Sequence, residues 1–290
     1  MDQFVNPQQI TYYDLSRPKY TQEIFEDIIK STKSFNSYLD IACGTGQLLL
    51  PLSSNFKISI GIDVSEAQIN KTKENIQKGN IQQEIHLFTC DAYEIHKNIT
   101  NIIPDSKFDL ITIGQAFHWF EEDKILKYLK SLLKDNGVLI LAGYSKEHFE
   151  ELEQPELYHI LSKTISKLLP YFKFDVENND KAYYKSHQSI KKIFESEIIT
   201  KHHRESADLP LNNLFNLLRS WSAYNNFKKS DTSNLSIKEQ GSSDTNTKIT
   251  DPIEDLESSL SQFFNLPLDE LNSKKVKYYN FYYTLTIYNN

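Results

Sequence analysis

The chain has 290 residues, with 32 Lys plus Arg against 39 Asp plus Glu for a net charge of −7, long enough for one large α/β domain with insertions or for two smaller ones. That acidic balance argues against a protein built to coat nucleic acid or anionic membrane. Mean hydropathy is −0.52 and no stretch approaches eighteen consecutive apolar residues, so a transmembrane helix is excluded, and the start Met-Asp-Gln-Phe-Val-Asn lacks the form of a signal peptide, so a soluble cytoplasmic protein is expected.

In chain order, the first predicted helix is capped by Thr21 and turns Ile24, Phe25, Ile28 and Ile29 inward. Five short apolar runs then alternate with helical patterns: Ser37-Tyr-Leu-Asp-Ile, Lys57-Ile-Ser-Ile-Gly-Ile-Asp, Ile85-His-Leu-Phe-Thr-Cys, Phe108-Asp-Leu-Ile-Thr-Ile and Gly137-Val-Leu-Ile-Leu-Ala. They are expected to form a largely parallel sheet. Seven of the eight glycines lie between Gly44 and Gly143, where the turns of βα units are needed. Ser65 with Gln68 is a capping box and Gly79 closes the same helix. Ile125, Leu126, Leu129, Leu132 and Leu133 share a helical face that Asp135-Asn136-Gly137 terminates.

After Tyr144 the texture becomes helical and aromatic, over 149–174 and 209–227, with one strand signal near 193–201. Residues 228–252 carry no aromatic residue and are rich in Ser, Thr, Asp, Asn and Lys, the composition of a flexible surface loop. A terminal strand over 277–287 places Tyr279, Phe281, Tyr283, Leu285 and Ile287 on one face. No internal repeat is present.

The chemistry-bearing segment is Tyr38-Leu-Asp-Ile-Ala-Cys-Gly-Thr-Gly-Gln47, a strand ending in a Gly-x-Gly turn that opens a helix. Amides exposed there suit a ligand carboxylate or phosphate. No Gly-Lys-Ser/Thr follows, so it is not a P-loop, and the third glycine of a dinucleotide fingerprint is missing. Asp63 ends the second strand about twenty residues on, placed to accept from both ribose hydroxyls of a nucleoside, and Asp91 follows the third strand, where an adenine amine would satisfy it. Asp40, Asp63 and Asp91 around one glycine turn describe a pocket for a ligand with amine, ribose and adenine parts.

These segments, with Gly61-Ile-Asp-Val-Ser65, Cys90-Asp-Ala92 and Phe108-Asp-Leu-Ile-Thr-Ile-Gly-Gln-Ala-Phe-His-Trp-Phe120, resemble the class I S-adenosylmethionine-dependent methyltransferases. Ala-Phe-His-Trp-Phe, Tyr13-x-x-x-Arg-Pro-x-Tyr20 and Leu218-Arg-Ser-Trp-Ser-Ala-Tyr224 resemble the trans-aconitate methyltransferase-like branch. The resemblance implies a Rossmann-like seven-stranded, mostly parallel sheet with helices on both faces and a mainly helical cap. It implies a core over 1–145, a cap over 146–275 that includes a core strand near 193–204 and the loop 228–252, and a returning strand over 276–290. The cofactor implied is S-adenosyl-L-methionine. Asp40, Gly44 and Gly46 would line its methionine part, Asp63 its ribose, Asp91 and Ala92 its adenine, and Gln115 and Ala116 would sit beside the reactive methyl. Ala42 stands where many relatives outside this branch carry glycine and slightly tightens the loop. The implied strand order separates Cys43 and Cys90 by two strand spacings, beyond the reach of a disulfide.

A sulfonium carries an activated methyl, so a transferase mainly has to align acceptor and donor and exclude water. A carboxylate acceptor is already ionised at neutral pH and needs no base. Only Arg17, Arg204 and Arg219 are arginines among the 32 basic residues, and the guanidinium fork binds carboxylates bidentately. Arg17 and Arg219 lie in segments resembling substrate and lid regions of this branch, so a small carboxylic acid is the expected acceptor. Tyr13, Tyr20, Trp119 and Trp221 are expected beside it, and His118 is the candidate catalytic group, able to accept a proton or orient a substrate oxygen. His202 and His203 point to opposite faces of a strand and do not make a metal pair; no metal site is expected. The alternative is a non-catalytic subunit that keeps the fold as a scaffold in a larger assembly. No Asn/Asp-Pro-Pro-Tyr/Trp motif of base-amine methylation is present, and no nucleic-acid or membrane partner is expected.

Overall fold

The computed structural model describes residues 18–144, 154–172, 179–238 and 250–289. Seven strands, β1 (Ser37–Ile41), β2 (Ile58–Asp63), β3 (Ile85–Thr89), β4 (Phe108–Gly114), β5 (Leu133–Tyr144), β6 (Ile198–Pro210) and β7 (Lys275–Tyr288), form one sheet in the order β3-β2-β1-β4-β5-β7-β6. β1 to β5 are parallel, and β7 runs antiparallel to both β5 and β6. The expected Rossmann-like α/β architecture holds. β2 lies between β1 and β3 as expected, and Cys43 and Cys90, past the ends of those outer two, are both free thiols.

The central strands are buried on both faces, which is why β1, β4 and the middle of β5 read as continuous apolar runs rather than alternating ones. Alternate residues feed two cores. Leu39, Ile41, Ile111, Ile113 and Leu139 pack with Ile125, Leu126 and Leu129 of α5 (Glu122–Leu132). Tyr38, Leu110, Ile140 and Tyr282 pack on the other face with Ile24 and Ile28 of α1 (Gln22–Ser31) and Leu49 and Leu52 of α2 (Leu49–Ser53). The remaining core helices are α3 (Glu66–Lys78) and the short α4 (His96–Ile99). After β5 come α6 (Pro155–Leu168), α7 (Asn179–Phe194), α8 (Leu211–Ser220), α9 (Ser222–Lys238), α10 (Pro252–Phe264) and α11 (Leu268–Leu271). Leu157, Leu161, Leu211, Phe215, Leu256 and Leu260, from α6, α8 and α10, close a separate core that meets the sheet at Val276 of β7.

Local chemistry departs from expectation in five places. Thr21 occupies the N-cap position of α1, but its side chain makes no capping bond. Ser65 does cap α3 by accepting from Gln68 N–H at 3.4 Å, yet its own N–H goes to Asp63 Oδ1 at 2.9 Å, so Asp63 takes the place of the reciprocal Gln68 bond. Leu133 belongs to β5 rather than α5, with a register shift between Phe108 and Leu110 that absorbs the turn at Asn136. The late strand begins at Ile198 and runs on to Pro210, because Ile193 still lies in α7. The segment 228–252 is not a loop throughout: α9 continues to Lys238 and α10 begins at Pro252, while 239–249 lie outside the described residues. Among the described residues no helix is long and apolar enough to cross a membrane.

Candidate functional site

β1 ends in a turn that only a special backbone can make. Ala42, Gly44 and Gly46 all have positive φ, at 54°, 55° and 88°, the region in which an ordinary side chain is strained. At Gly46 a Cβ would also meet Leu50 Cγ at 2.8 Å and Thr72 Cγ2 at 3.2 Å. The turn is held from α3: Thr72 Oγ1 donates to the Gly44 carbonyl at 2.6 Å and Asn75 Nδ2 to the Thr45 carbonyl at 3.0 Å. Asp63, at the end of β2, accepts from Gly44 N–H at 3.0 Å through one oxygen and from Ser65 N–H at 2.9 Å through the other. The carboxylate therefore ties the glycine turn to the start of α3 and keeps further lone pairs for a ligand's hydroxyls.

The other wall is the end of β4. Gly114 has no room for a side chain, since a Cβ would lie 2.8 Å from Leu48 Cδ1 and 3.0 Å from the Tyr20 hydroxyl. Gln115 follows with φ at 53°, its N–H donating to the Ala142 carbonyl at 2.9 Å and its Nε2 to the Tyr144 carbonyl at 2.8 Å. Between the two walls is an open cavity of about 360 Å³ counted out to its mouth. Asp40, Ala42, Cys43, Gly44, Thr45, Gln47 and Leu48 line it from the β1 side, Gly114 and Gln115 from β4, and Tyr20 and Tyr144 complete it.

Asp40 supplies a carboxyl group to this cavity and is only 2% exposed. Its Oδ1 accepts from Thr112 Oγ1 at 2.5 Å. Burial drives its carboxyl up to about 7, against the stabilising Thr112 hydroxyl and Leu49 N–H and with help from the Asp63 charge. A buried acid poised at neutrality, with no cation bearing on it among the described residues, is suited to receive a cationic ligand group. The ammonium of an amino-acid moiety fits that requirement, and the glycine turn beside it leaves backbone accessible.

Of the residues expected at the site, Asp40, Gly44, Gln115 and Tyr20 line the cavity, and Gly46 and Asp63 shape its turn. Asp91 lies beyond the cavity, exposed, and accepts from Tyr93 N–H at 2.9 Å to cap the single turn Ala92–Glu94; Ala92 is buried. Ala116 is buried beside Gln115. His118 and Trp119 lie on the next short turn, Phe117–Trp119, with ring centroids 4.8 Å apart and Trp119 42% exposed; neither lines the cavity. Arg219 sits in α8 and is ion-paired to Glu257, and Trp221 packs on Phe172 with centroids 5.6 Å apart, both outside the cavity lining. Tyr13 and Arg17 lie outside the described residues. Sequence reasoning missed Thr112, the one polar residue facing Asp40 from β4, and Tyr144, whose position at the carboxyl end of β5 was the available signal.

A methyltransferase domain family model matches residues 32–224. The chain is 25% identical over 153 residues to a Saccharomyces cerevisiae protein assigned as an S-adenosylmethionine-dependent methyltransferase, covering 52% of this chain and 50% of that one. It is also 25% identical over 140 residues to a malonyl-acyl-carrier-protein O-methyltransferase of Ilyobacter polytropus, covering 47% and 48%. The chain thus spans about half the length of these curated relatives. A solved structure from Anaeromyxobacter dehalogenans, assigned as a type II methyltransferase, superposes over 94% of this chain and 97% of its own with a TM-score of 0.63 at 15% identity, which shows a shared fold.

Proposed function

The chain belongs to the methyltransferase domain family, whose members depend on S-adenosylmethionine, and on that premise we propose that it transfers a methyl group from S-adenosylmethionine to a small carboxylic acid, forming a methyl ester. The observation that carries the cofactor half is the buried Asp40 opening on a cavity between the left-handed turn at Gly44 and the end of β4. When bound, the cofactor supplies an activated methyl group.

Asp40 would hold the ammonium of its methionine part, with Gly44 and Gly46 letting backbone approach the same end. Asp63 would accept from the ribose hydroxyls. Asp91 and the Ala92 backbone would hold the adenine, and Gln115 and Ala116 would border the methyl. Gln115 is suited to that position because both its N–H and its side-chain amide are fixed to β5 and its end, so it holds one geometry. Leu48, Tyr20 and Tyr144 exclude water.

The acceptor side is assigned to Tyr13, Arg17, Tyr20, Trp119, Arg219 and Trp221, with His118 orienting a substrate oxygen. Glu257 takes part of the Arg219 fork and leaves its other donors for a carboxylate. An ionised acceptor needs no base, so these side chains have to orient rather than deprotonate. The O-methyltransferase name of the Ilyobacter relative supports the carboxylate reading, and the Ala-Phe-His-Trp-Phe segment supports placement near the trans-aconitate methyltransferase-like branch. In this reading 1–145 is the cofactor core, 146–275 the cap and 276–290 the returning strand. The test is incubation with methyl-labelled S-adenosylmethionine and a panel of mono-, di- and tricarboxylic acids. Base-labile label released as methanol is expected from at least one acid; no labelled ester from any of them retires the carboxylate assignment.

A further inference from the structure

Tyr38, Asp40 and Thr112 share one face of the sheet. Asp40 pairs directly with Thr112 across the parallel β1–β4 ladder, two residues along β1 from Tyr38. Around them that face is apolar: Leu110, Val138, Ile140, Ala142, Leu49 and Leu52 are buried there. Tyr38 and Thr112 are fully buried, and a buried hydroxyl costs free energy unless bonded. Tyr38 Oη lies 2.8 Å from Thr112 Oγ1, and Thr112 Oγ1 lies 2.5 Å from Asp40 Oδ1. With Asp40 ionised, the single Thr112 proton points to Asp40, so Tyr38 must donate to Thr112. The three groups form a directed chain from the interior to the cavity wall.

We propose that Thr112, backed by Tyr38, is a positioning residue for the cofactor: its hydroxyl holds the Asp40 carboxyl at the cavity wall and couples loading of the cavity to release of one proton from Asp40. The inference rests on the reading of this cavity as the S-adenosylmethionine site. In the exchange, the neutral carboxyl loses its O–H proton to solvent and the resulting carboxylate faces the ligand's ammonium, so charge and protons balance. The groups bearing on Asp40 are the Asp63 carboxylate from the end of β2, the Cys43 thiol and Tyr38 hydroxyl from β1 and the turn after it, the Thr112 hydroxyl from β4 and the Leu49 N–H from α2. Among the described residues none is a cation, so the ligand brings the positive charge that discharges the proton. Thr112 and Leu49 favour the anion while burial and Asp63 oppose it. Removing the hydroxyl therefore strengthens proton retention and moves loading to higher pH.

The experiment is titration calorimetry of the full chain with S-adenosylhomocysteine, in buffers of different ionisation enthalpy from pH 5.5 to 8.5, for the native chain, Thr112→Val and Thr112→Ser. The native chain is expected to release close to one proton per site at the acid end and almost none at the alkaline end. Thr112→Val shifts that profile up by about one pH unit and binds about fivefold more weakly at neutral pH, with affinity recovering at pH 8.5; Thr112→Ser behaves as the native chain. Equal proton counts and pH profiles in the native and Thr112→Val chains overturn the proposal, as does a loss in Thr112→Val that is uniform across pH. No heat from the native chain at any pH overturns the cofactor reading itself. In that event the Asp40 carboxyl carbon, followed by NMR in the ligand-free chains, still reads the Thr112 effect, and equal midpoints in Thr112→Val and native chains overturn it independently.

Discussion

At the scale of single residues, the site is made of backbone freedom and buried charge. Gly46 combines φ at 88° with a Cβ position 2.8 Å from Leu50. Gly46→Ala should therefore cost about 1–3 kcal/mol and weaken cofactor binding more than it lowers stability, read by urea unfolding alongside ligand titration; native-like affinity would contradict the role of the turn. Asp40 gives a signed prediction. Its folded value of about 7 lies above the ordinary carboxylate value, so the ligand-free native chain retains a proton that the unfolded chain loses. That contribution is complete below about pH 4 and fades as pH rises through 7, by up to about 4 kcal/mol. Asp109 acts oppositely. Burial would raise it, but the Ser37 N–H, the Lys134 ammonium and the Asn36 N–H outweigh that and lower it, so its stabilisation is lost towards acid. Comparing Asp40→Asn with the native chain by urea unfolding from pH 4.5 to 7.5 isolates the Asp40 share; identical slopes would contradict it. Asp40, Gly44, Gly46 and Asp63 were legible because glycine and acid spacing follows the strand ends directly. Thr112 was not, because one threonine inside Phe-Asp-Leu-Ile-Thr-Ile has the same pattern whether it faces a charge or merely fills space.

At the scale of elements, β1 to β4 were legible almost to the residue: Ser37–Ile41 was expected and observed, because strands buried on both faces, as β1 and β4 are, read as short apolar runs between turn residues, and the half-buried edge strand β3 is bounded by turn residues as well. β7 was legible through one of its faces. Tyr283, Leu285 and Ile287 fill one core, while Tyr282 enters the opposite one and its hydroxyl donates to the Lys19 carbonyl at 2.8 Å. The helical course of α9 was legible as far as Phe227, but its continuation to Lys238 was missed. Its polar composition lacks a core stripe, but Ala223 and Phe227 pack with Leu168, and once that turn is nucleated each further residue extends the helix at little cost. The cap ion pair gives an element-scale prediction. Arg219 and Glu257 join α8 to α10, so Arg219→Ala and Glu257→Ala should each lower Tm, with a coupling of about 1 kcal/mol in the double-mutant cycle. If Arg219 also meets the acceptor, Arg219→Ala raises KM for the acid well beyond Glu257→Ala; matching KM values would confine it to the cap.

At the scale of the whole molecule, the sheet order brings the ends of β1, β2 and β4 to one edge, where strand order reverses between β1 and β4 and ligands bind in open α/β sheets. Two of the acidic residues in the chain's balance, Asp40 and Asp63, stand at that edge. The most direct measurement of the central claim is equilibrium binding of S-adenosylmethionine to the native chain and to Asp63→Ala, with circular dichroism to establish that both are folded. Micromolar binding by the native chain, weakened at least about tenfold in Asp63→Ala through loss of the Gly44 and ribose contacts, is the predicted result. No binding by the folded native chain, or binding indifferent to Asp63, would contradict the account.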